Sequence, residues 1–167
     1  SGHAGIASAL TALGDLSGAE NAYRKAVELK PDDPEIKAGL ARLYERRNRL
    51  DDALRMAFEL QEDHPESAVG YALAGDLYFR ARRYADAAGS YHAAFSRAPS
   101  GTLLVARHVA RSRAGARPDG SDLARWIEKN PADLTVRMHL ADLFYVEGRY
   151  GEAAAHYEAI LERDPNL

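Results

Sequence analysis

The chain has no cysteine and, among its 167 residues, only one tryptophan and two methionines. Without thiols there is no disulfide framework, no thiolate nucleophile and no zinc–thiolate cluster, although such a lack suits oxidising and reducing compartments equally. No apolar run approaches the roughly 18 residues of a membrane span, and no signal-peptide pattern opens the chain, so direct membrane insertion is not expected. An excess of one charge is also missing: 22 Lys and Arg face 25 Asp and Glu, a formal charge of -3. Duplex binding wants a basic surface, so nucleic acid is not an expected partner. What the chain does have is 46% apolar and 28% charged residues, the composition of a globular protein able to bury a core.

Its strongest positive signal is periodic. Pro31, Pro65 and Pro99 are spaced by 34 residues, and Pro131 and Pro165 repeat that 34 after one interval of 32. Self-similarity at this period marks an array of small supersecondary units, none of which buries its apolar face alone. Five units follow, 1–33, 34–67, 68–101, 102–133 and 134–167, within a single repeat domain. In the second, Ile36, Leu40 and Leu43, then Leu50, Leu54 and Phe58, recur at helical spacing on either side of a break at Arg47-Asn48-Arg49. Asn48 tolerates the left-handed conformation that ends a helix, as Gly14, Gly115 and Gly148 do at the equivalent breaks, whereas Arg82 fills that slot either at a modest backbone cost or in a turn of different build. Past the break a Leu or Tyr is followed three residues on by Ala19, Ala53, Ala87 or Ala153, small enough for two helices to approach closely.

These residues resemble the tetratricopeptide repeat family, stacked helix-turn-helix units of about 34 residues. The third unit carries the likeness best, with Tyr71 in the family's Trp slot, Ala74-Gly75 in its Leu-Gly slot, then Tyr78, Ala87, Tyr91, Ala94 and Pro99. The fifth follows with Leu140-Ala141, Phe144, Ala153, Tyr157 and Pro165. The resemblance implies an all-α fold, a right-handed α-α superhelix of about five repeats. The fourth unit departs: its inter-helix stretch GARPDGSD is short, and Trp126 stands where other units carry Ala26, Leu60, Ala94 and Ile160, so extra volume and a mostly buried ring are expected there. The run from Leu123 to Asn166 is also similar to repeats of bacterial envelope lipoproteins tied to exopolysaccharide and PEP-CTERM sorting systems, which implies a periplasmic or envelope scaffold, with cytoplasm the alternative. Ser1-Gly2-His3 reads as a cleavage remnant, and the stop at Asn166-Leu167 reads as a segment cut from a longer array. Tyr157, Ile160 and Leu161 are then expected to form an exposed apolar strip open to self-association.

Chemistry is sparse. The histidines lack H-x-x-x-H or HExxH spacing, so no metal or cofactor is expected; His108 and His139 fall on first helices of adjacent units, where a close approach is one option, but surface or half-buried structural imidazoles are the expected outcome. No nucleophile elbow, phosphate loop or dinucleotide fingerprint is present, and no enzyme activity is expected. The acidic pairs Asp32-Asp33 and Asp51-Asp52 read as helix caps. In the resembled family, first helices line a concave groove that holds ligands. Helical spacing assigns to it Ala38, Arg42, Glu45, Arg46; Ala72, Asp76, Phe79, Arg80; Ala106, Arg107, Ala110, Arg113; and Met138, His139, Asp142, Tyr145. Arg42 is expected to reach Asp76, Arg113 to lie between Phe79 and Tyr145, and Arg46 and Arg80 to remain without an acid in their row. The groove then suits an extended peptide or partner protein bearing carboxylates and an apolar anchor. The carboxylate-gripping set of the chaperone-binding subclass is not found, since Ala4, Ser8 and Gly39 occupy its positions. Two other roles fit the same residues, a structural spacer in an envelope assembly and the repeat arm of a multidomain enzyme.

Overall fold

A computed structural model describes residues 2–164; expectations placed on Ser1, Pro165, Asn166 and Leu167 lie outside the described residues. Among the described residues there are ten helices and no strand. They pair as α1 (Gly2–Leu13) with α2 (Leu16–Leu29), α3 (Pro34–Arg46) with α4 (Leu50–Asp63), α5 (Val69–Arg80) with α6 (Tyr84–Arg97), α7 (Gly101–Arg113) with α8 (Ser121–Lys129), and α9 (Leu134–Val146) with α10 (Tyr150–Leu161). The chain gathers into two compact units, 1–98 with three hairpins and 99–167 with two.

The expected breaks fall where the backbone turns left-handed. Gly14 (φ +85°), Gly115 (+93°) and Gly148 (+77°) do so freely, and Asn48 (+56°) and Arg82 (+59°) do so with side chains attached. The same pair of hydrogen bonds closes four of these turns. At Arg82, for example, the Arg82 N–H donates to the Phe79 carbonyl (3.0 Å) and the Arg83 N–H to the Tyr78 carbonyl (2.9 Å), which satisfies carbonyls left over at the helix end. Helix starts are capped by side chains at Asp15, Asp33, Ser100 and Asp133, each accepting from a backbone N–H two or three residues on. Asp51 and Asp52 lie inside the first turn of α4 and cap nothing; Asp52 instead binds Arg49 (2.6 Å) and Arg55 (2.5 Å).

Packing follows the small/large pattern. Ala19, Ala53 and Ala87 are 0% exposed and Ala153 1%, so each second helix sits close against its partner. In the first unit Leu40, Leu43, Tyr44, Leu54, Leu60, Leu73 and Leu77 fill the space between hairpins, and α1, α3 and α5 lie side by side. In the second unit Leu104, Leu123, Ile127, Val136, Leu140 and Phe144 form the core.

The fourth hairpin is the irregular one. α8 has only nine residues and meets α7 at few points; both helices pack instead on α9. Gly120 makes this possible: its φ is +74°, and a Cβ there would come within 2.7 Å of Leu143 Cδ2. Trp126 is half-buried rather than enclosed, because its indole N–H turns to donate to Asp133 (2.7 Å), the residue that also caps α9. The expected terminal strip is reduced to Leu161: Ile160 is 1% exposed and Tyr157 is half-buried.

Candidate interaction site

The first helices present one face in each unit, and these faces hold the residues expected to recognise a ligand. In the first unit Arg42 is exposed on α3 and, among the described residues, forms no ion pair with Asp76 or any other acid. Asp76 is taken from within its own hairpin: the Tyr91 hydroxyl donates to it at 2.8 Å. Burial and this carboxylate together push the Tyr91 phenol far above its ordinary pKa.

Arg46 and Arg80, 34 residues apart, both reach back to the preceding first helix. Arg46 donates to the Thr11 carbonyl (3.0 Å), and Arg80 to the Glu45 carboxylate (2.5 Å), at the repeat position equivalent to Thr11. Arg80 is therefore not the acid-free cation that the rows suggested, because the residue one row over supplies its partner. Glu45 and Arg80, with Asn48, Leu50, Leu77 and Ala81, line a shallow depression of about 210 Å³. Ala38 is buried, so it belongs to the helix interface and not to the face. Phe79 is half-buried and packs edge-on against Tyr84, with ring centroids 5.2 Å apart.

The second unit repeats parts of this arrangement. The Tyr157 hydroxyl donates to Asp142 (2.7 Å) as Tyr91 does to Asp76, and Tyr145 packs edge-on against Tyr150 (5.4 Å) as Phe79 does against Tyr84. Tyr145 remains largely exposed, and Arg113 is exposed with no ion pair among the described residues. Arg107 leaves the expected face: half-buried, it binds Asp122 of α8 at 2.7 Å. Ala110 is fully buried.

His139 meets His108 with ring centroids 5.1 Å apart and planes at 81°. Both imidazoles are held below the usual histidine pKa by burial, and for His108 also by the neighbouring His139. His108 was missed as a site residue. It is 2% exposed and occupies the core slot filled by Leu40, Ala74 and Leu140 in other repeats. A polar residue in an otherwise apolar slot was the signal that would have found it. His108, Val109, Ser112, Arg113, His139, Asp142, Leu143 and Val146 surround a pocket of about 240 Å³ between α7 and α9.

A second set of charges went unanticipated. Glu20, 5% exposed, receives Arg24 (2.6 Å), Arg47 (2.5 Å) and Arg49 (3.0 Å), and the buried Lys37 binds Asp63 and lies 3.6 Å from Glu59. The Glu20 cluster joins neighbouring hairpins, the Lys37 cluster joins the two helices of one hairpin, α3 and α4, and both are structural.

Helical hairpins repeated on a 34-residue pattern, with polar first-helix faces, define a helical-repeat interaction scaffold. The chain belongs to the tetratricopeptide repeat family: models described as tetratricopeptide repeat match residues 10–77 and 121–167. No curated protein matches it. Among solved structures it is similar to MamA, with a TM-score of 0.73 and 18% identity over 96% of this chain and 95% of that one. It is also similar to TTC0263, a thermophilic TPR protein of Thermus thermophilus (TM-score 0.67, 24% identity, 99% and 91% covered). A third likeness is to YrrB, described as a TPR protein with an unusual peptide-binding site (TM-score 0.64, 25% identity, 86% and 75% covered). None of the helices among the described residues is long and apolar enough to cross a membrane.

Proposed function

We propose that this chain is a non-enzymatic scaffold whose first-helix faces hold an extended acidic segment of a partner protein. The observation that carries this reading is the pairing state of α3: Arg42 and Arg46 stand one helical turn apart on its exposed face, and among the described residues neither guanidinium meets a carboxylate. A carboxylate entering between them gains charge-assisted hydrogen bonds. Arg80, already neutralised by Glu45, contributes less than its position in sequence suggests. The YrrB peptide-binding site gives a precedent on a similar fold.

The test is titration of acidic peptides against wild type, an Arg42→Ala, Arg46→Ala double variant and Arg80→Ala. Binding should weaken with salt and fall at least tenfold in the double variant, with Arg80→Ala closer to wild type. Equal binding by all three proteins sinks the assignment to this face.

A further inference from the structure

Seven residues before each repeat proline the second helices hold one equivalent slot. Arg24, His92 and Glu158 fill it exposed and Ala124 half-buried, whereas the second repeat carries Phe58, a ring that keeps 42% of its surface in water. Packing does not call for that ring, since no other repeat puts a large apolar side chain there. Its surroundings have changed with it. In the first repeat Arg24 pairs with Glu20 (2.6 Å), and its charge is further stabilised by Tyr44. One repeat on, Leu54 stands at the Glu20 position, Tyr78 at the Tyr44 position and Phe58 at the Arg24 position, and the three line an open groove of about 440 Å³ within the first unit.

The free charge of this groove is negative. Both arginines that line it are committed, Arg55 to Asp52 (2.5 Å) and Arg83 to Asp86 (2.8 Å) and the Tyr78 ring. Of its acids, Glu59 lies 3.6 Å from Lys37, whose closer partner is Asp63. Asp51 and Glu62 are exposed and make no ion pair among the described residues; Asp51 stabilises the Arg83 charge only from a greater distance. We propose that the groove is a second docking surface, which takes an arginine-bearing segment of a partner protein, with the guanidinium laid on Phe58 and bonded to Glu62. Phe58 and Glu62 are four residues apart on α4, so their side chains are neighbours on one helix face. The chain builds the same combination for itself, as where Arg49 lies over Tyr44 and pairs with Asp52. Here ring and carboxylate are present and the arginine is left to the partner. A flat guanidinium stacks on a ring while its N–H groups stay free to bond in plane, which a lysine ammonium does not match. An acidic segment would be repelled by Asp51 and Glu62, and a purely apolar one would strip their water without replacing it. This surface goes beyond the α3 face, has the opposite charge and does not depend on Arg42 or Arg46.

The experiment titrates the full 167-residue chain with the acetylated, amidated peptide Leu-Arg-Ala-Ala-Arg-Leu and with copies carrying lysine or glutamate for arginine, read by two-dimensional NMR. The arginine peptide should shift the Phe58 ring and the amides around Glu62 and bind about threefold tighter than the lysine copy, and the glutamate copy should leave these resonances unmoved. Phe58→Ala should weaken binding about fivefold, and Asp51→Asn with Glu62→Gln about tenfold at low salt. Phe58→Tyr, which keeps the ring, and the Arg42→Ala, Arg46→Ala double variant should bind as wild type. All these positions are exposed, so far-UV circular dichroism should not change. No binding of the arginine peptide, equal binding of the lysine copy, indifference to Phe58→Ala, or loss of binding in the Arg42, Arg46 variant overturns the proposal. The two surfaces fail separately: a glutamate copy that shifts only α3 supports the scaffold face, and an arginine peptide that shifts only α4 supports this one.

Discussion

The guanidinium of Arg83 lies 4.5 Å from the ring centre of Tyr78, five residues earlier in the chain. The contact spans the left-handed turn at Arg82, and Arg83 also grips Asp86 (2.8 Å) in the helix that follows. The same clasp recurs as Arg49 over Tyr44 with Asp52, and as Arg149 over Phe144 with Glu152. One side chain thereby covers the end of a first helix and pairs with the start of a second, where no side-chain cap is present. In the fourth repeat Ala116 follows the turn and the clasp is missing, in the hairpin whose helices scarcely meet.

Arg82 gives a clean stability prediction. A left-handed L-residue costs roughly 1–2 kcal/mol, and glycine returns about 0.5–1 of that through its freer unfolded chain. The Arg82 side chain is exposed and makes no hydrogen bond or ion pair among the described residues. Arg82→Gly should therefore stabilise the first unit by about 0.5–1 kcal/mol in urea unfolding, and Asn48→Gly by less, since asparagine adopts this conformation more readily. A loss of stability at Arg82→Gly would show that the turn is not strained.

Trp126 separates packing from hydrogen bonding. Its ring is half-buried, so Trp126→Ala should cost about 2–3 kcal/mol, below the usual range for an enclosed indole. Trp126→Phe keeps most of the packing and loses the bond to Asp133, at about 1–2 kcal/mol. Chemical denaturation followed by circular dichroism checks both; no difference between Phe and wild type would mean that the indole N–H is equally well served by solvent.

The repeat frame was legible because it depends on local rules: prolines past helix ends, glycine or asparagine at left-handed turns, alanine where helices touch. Pairing on the first-helix face was not. Arg80 finds Glu45 in the adjoining row, and Asp76 and Asp142 are taken by Tyr91 and Tyr157 of second helices, because side chains several ångströms long choose partners by reach and not by row. The clasp escaped notice for a related reason: Arg49, Arg83 and Arg149 recur on the repeat register, yet their partners lie on both sides of a turn whose geometry spacing alone does not supply.

Glu20 is the most consequential buried charge. It sits on α2 and receives Arg47 and Arg49 from the turn between α3 and α4, tying the first hairpin to the second. Glu20→Ala takes the shared carboxylate from Arg24 and Arg47 and leaves Arg49 with Asp52 alone. Breaking a fully buried pair costs about 3–5 kcal/mol, but these arginines keep 31% to 53% of their side-chain exposure, and water screens part of the loss. About 2–3 kcal/mol is expected for Glu20→Ala, with Glu20→Gln smaller, and an unchanged urea midpoint would show that solvent already carries the cluster.

Acid should loosen the second unit first. Burial holds His108, His139 and His156 below the usual histidine range; Asp122 and Asp142 oppose this at His108 and His139, while Arg107, Arg111 and Arg137 reinforce it at His108 and His156. The unfolded chain binds its protons near a pKa of about 6.5, before the folded chain does, so stability is full above that value and declines as pH falls from there toward the lower folded pKa values. Trp126, the chain's one tryptophan, lies in this unit and reports its unfolding. The urea midpoint read from its fluorescence should drop between about pH 7.5 and 5.5, and His108→Phe with His139→Phe should flatten the slope, because two of the three late-protonating groups are then gone. A midpoint that stays level or rises over this interval would mean that the imidazoles protonate in place, with Asp122 and Asp142 compensating the charge, and that their burial does not govern the acid response.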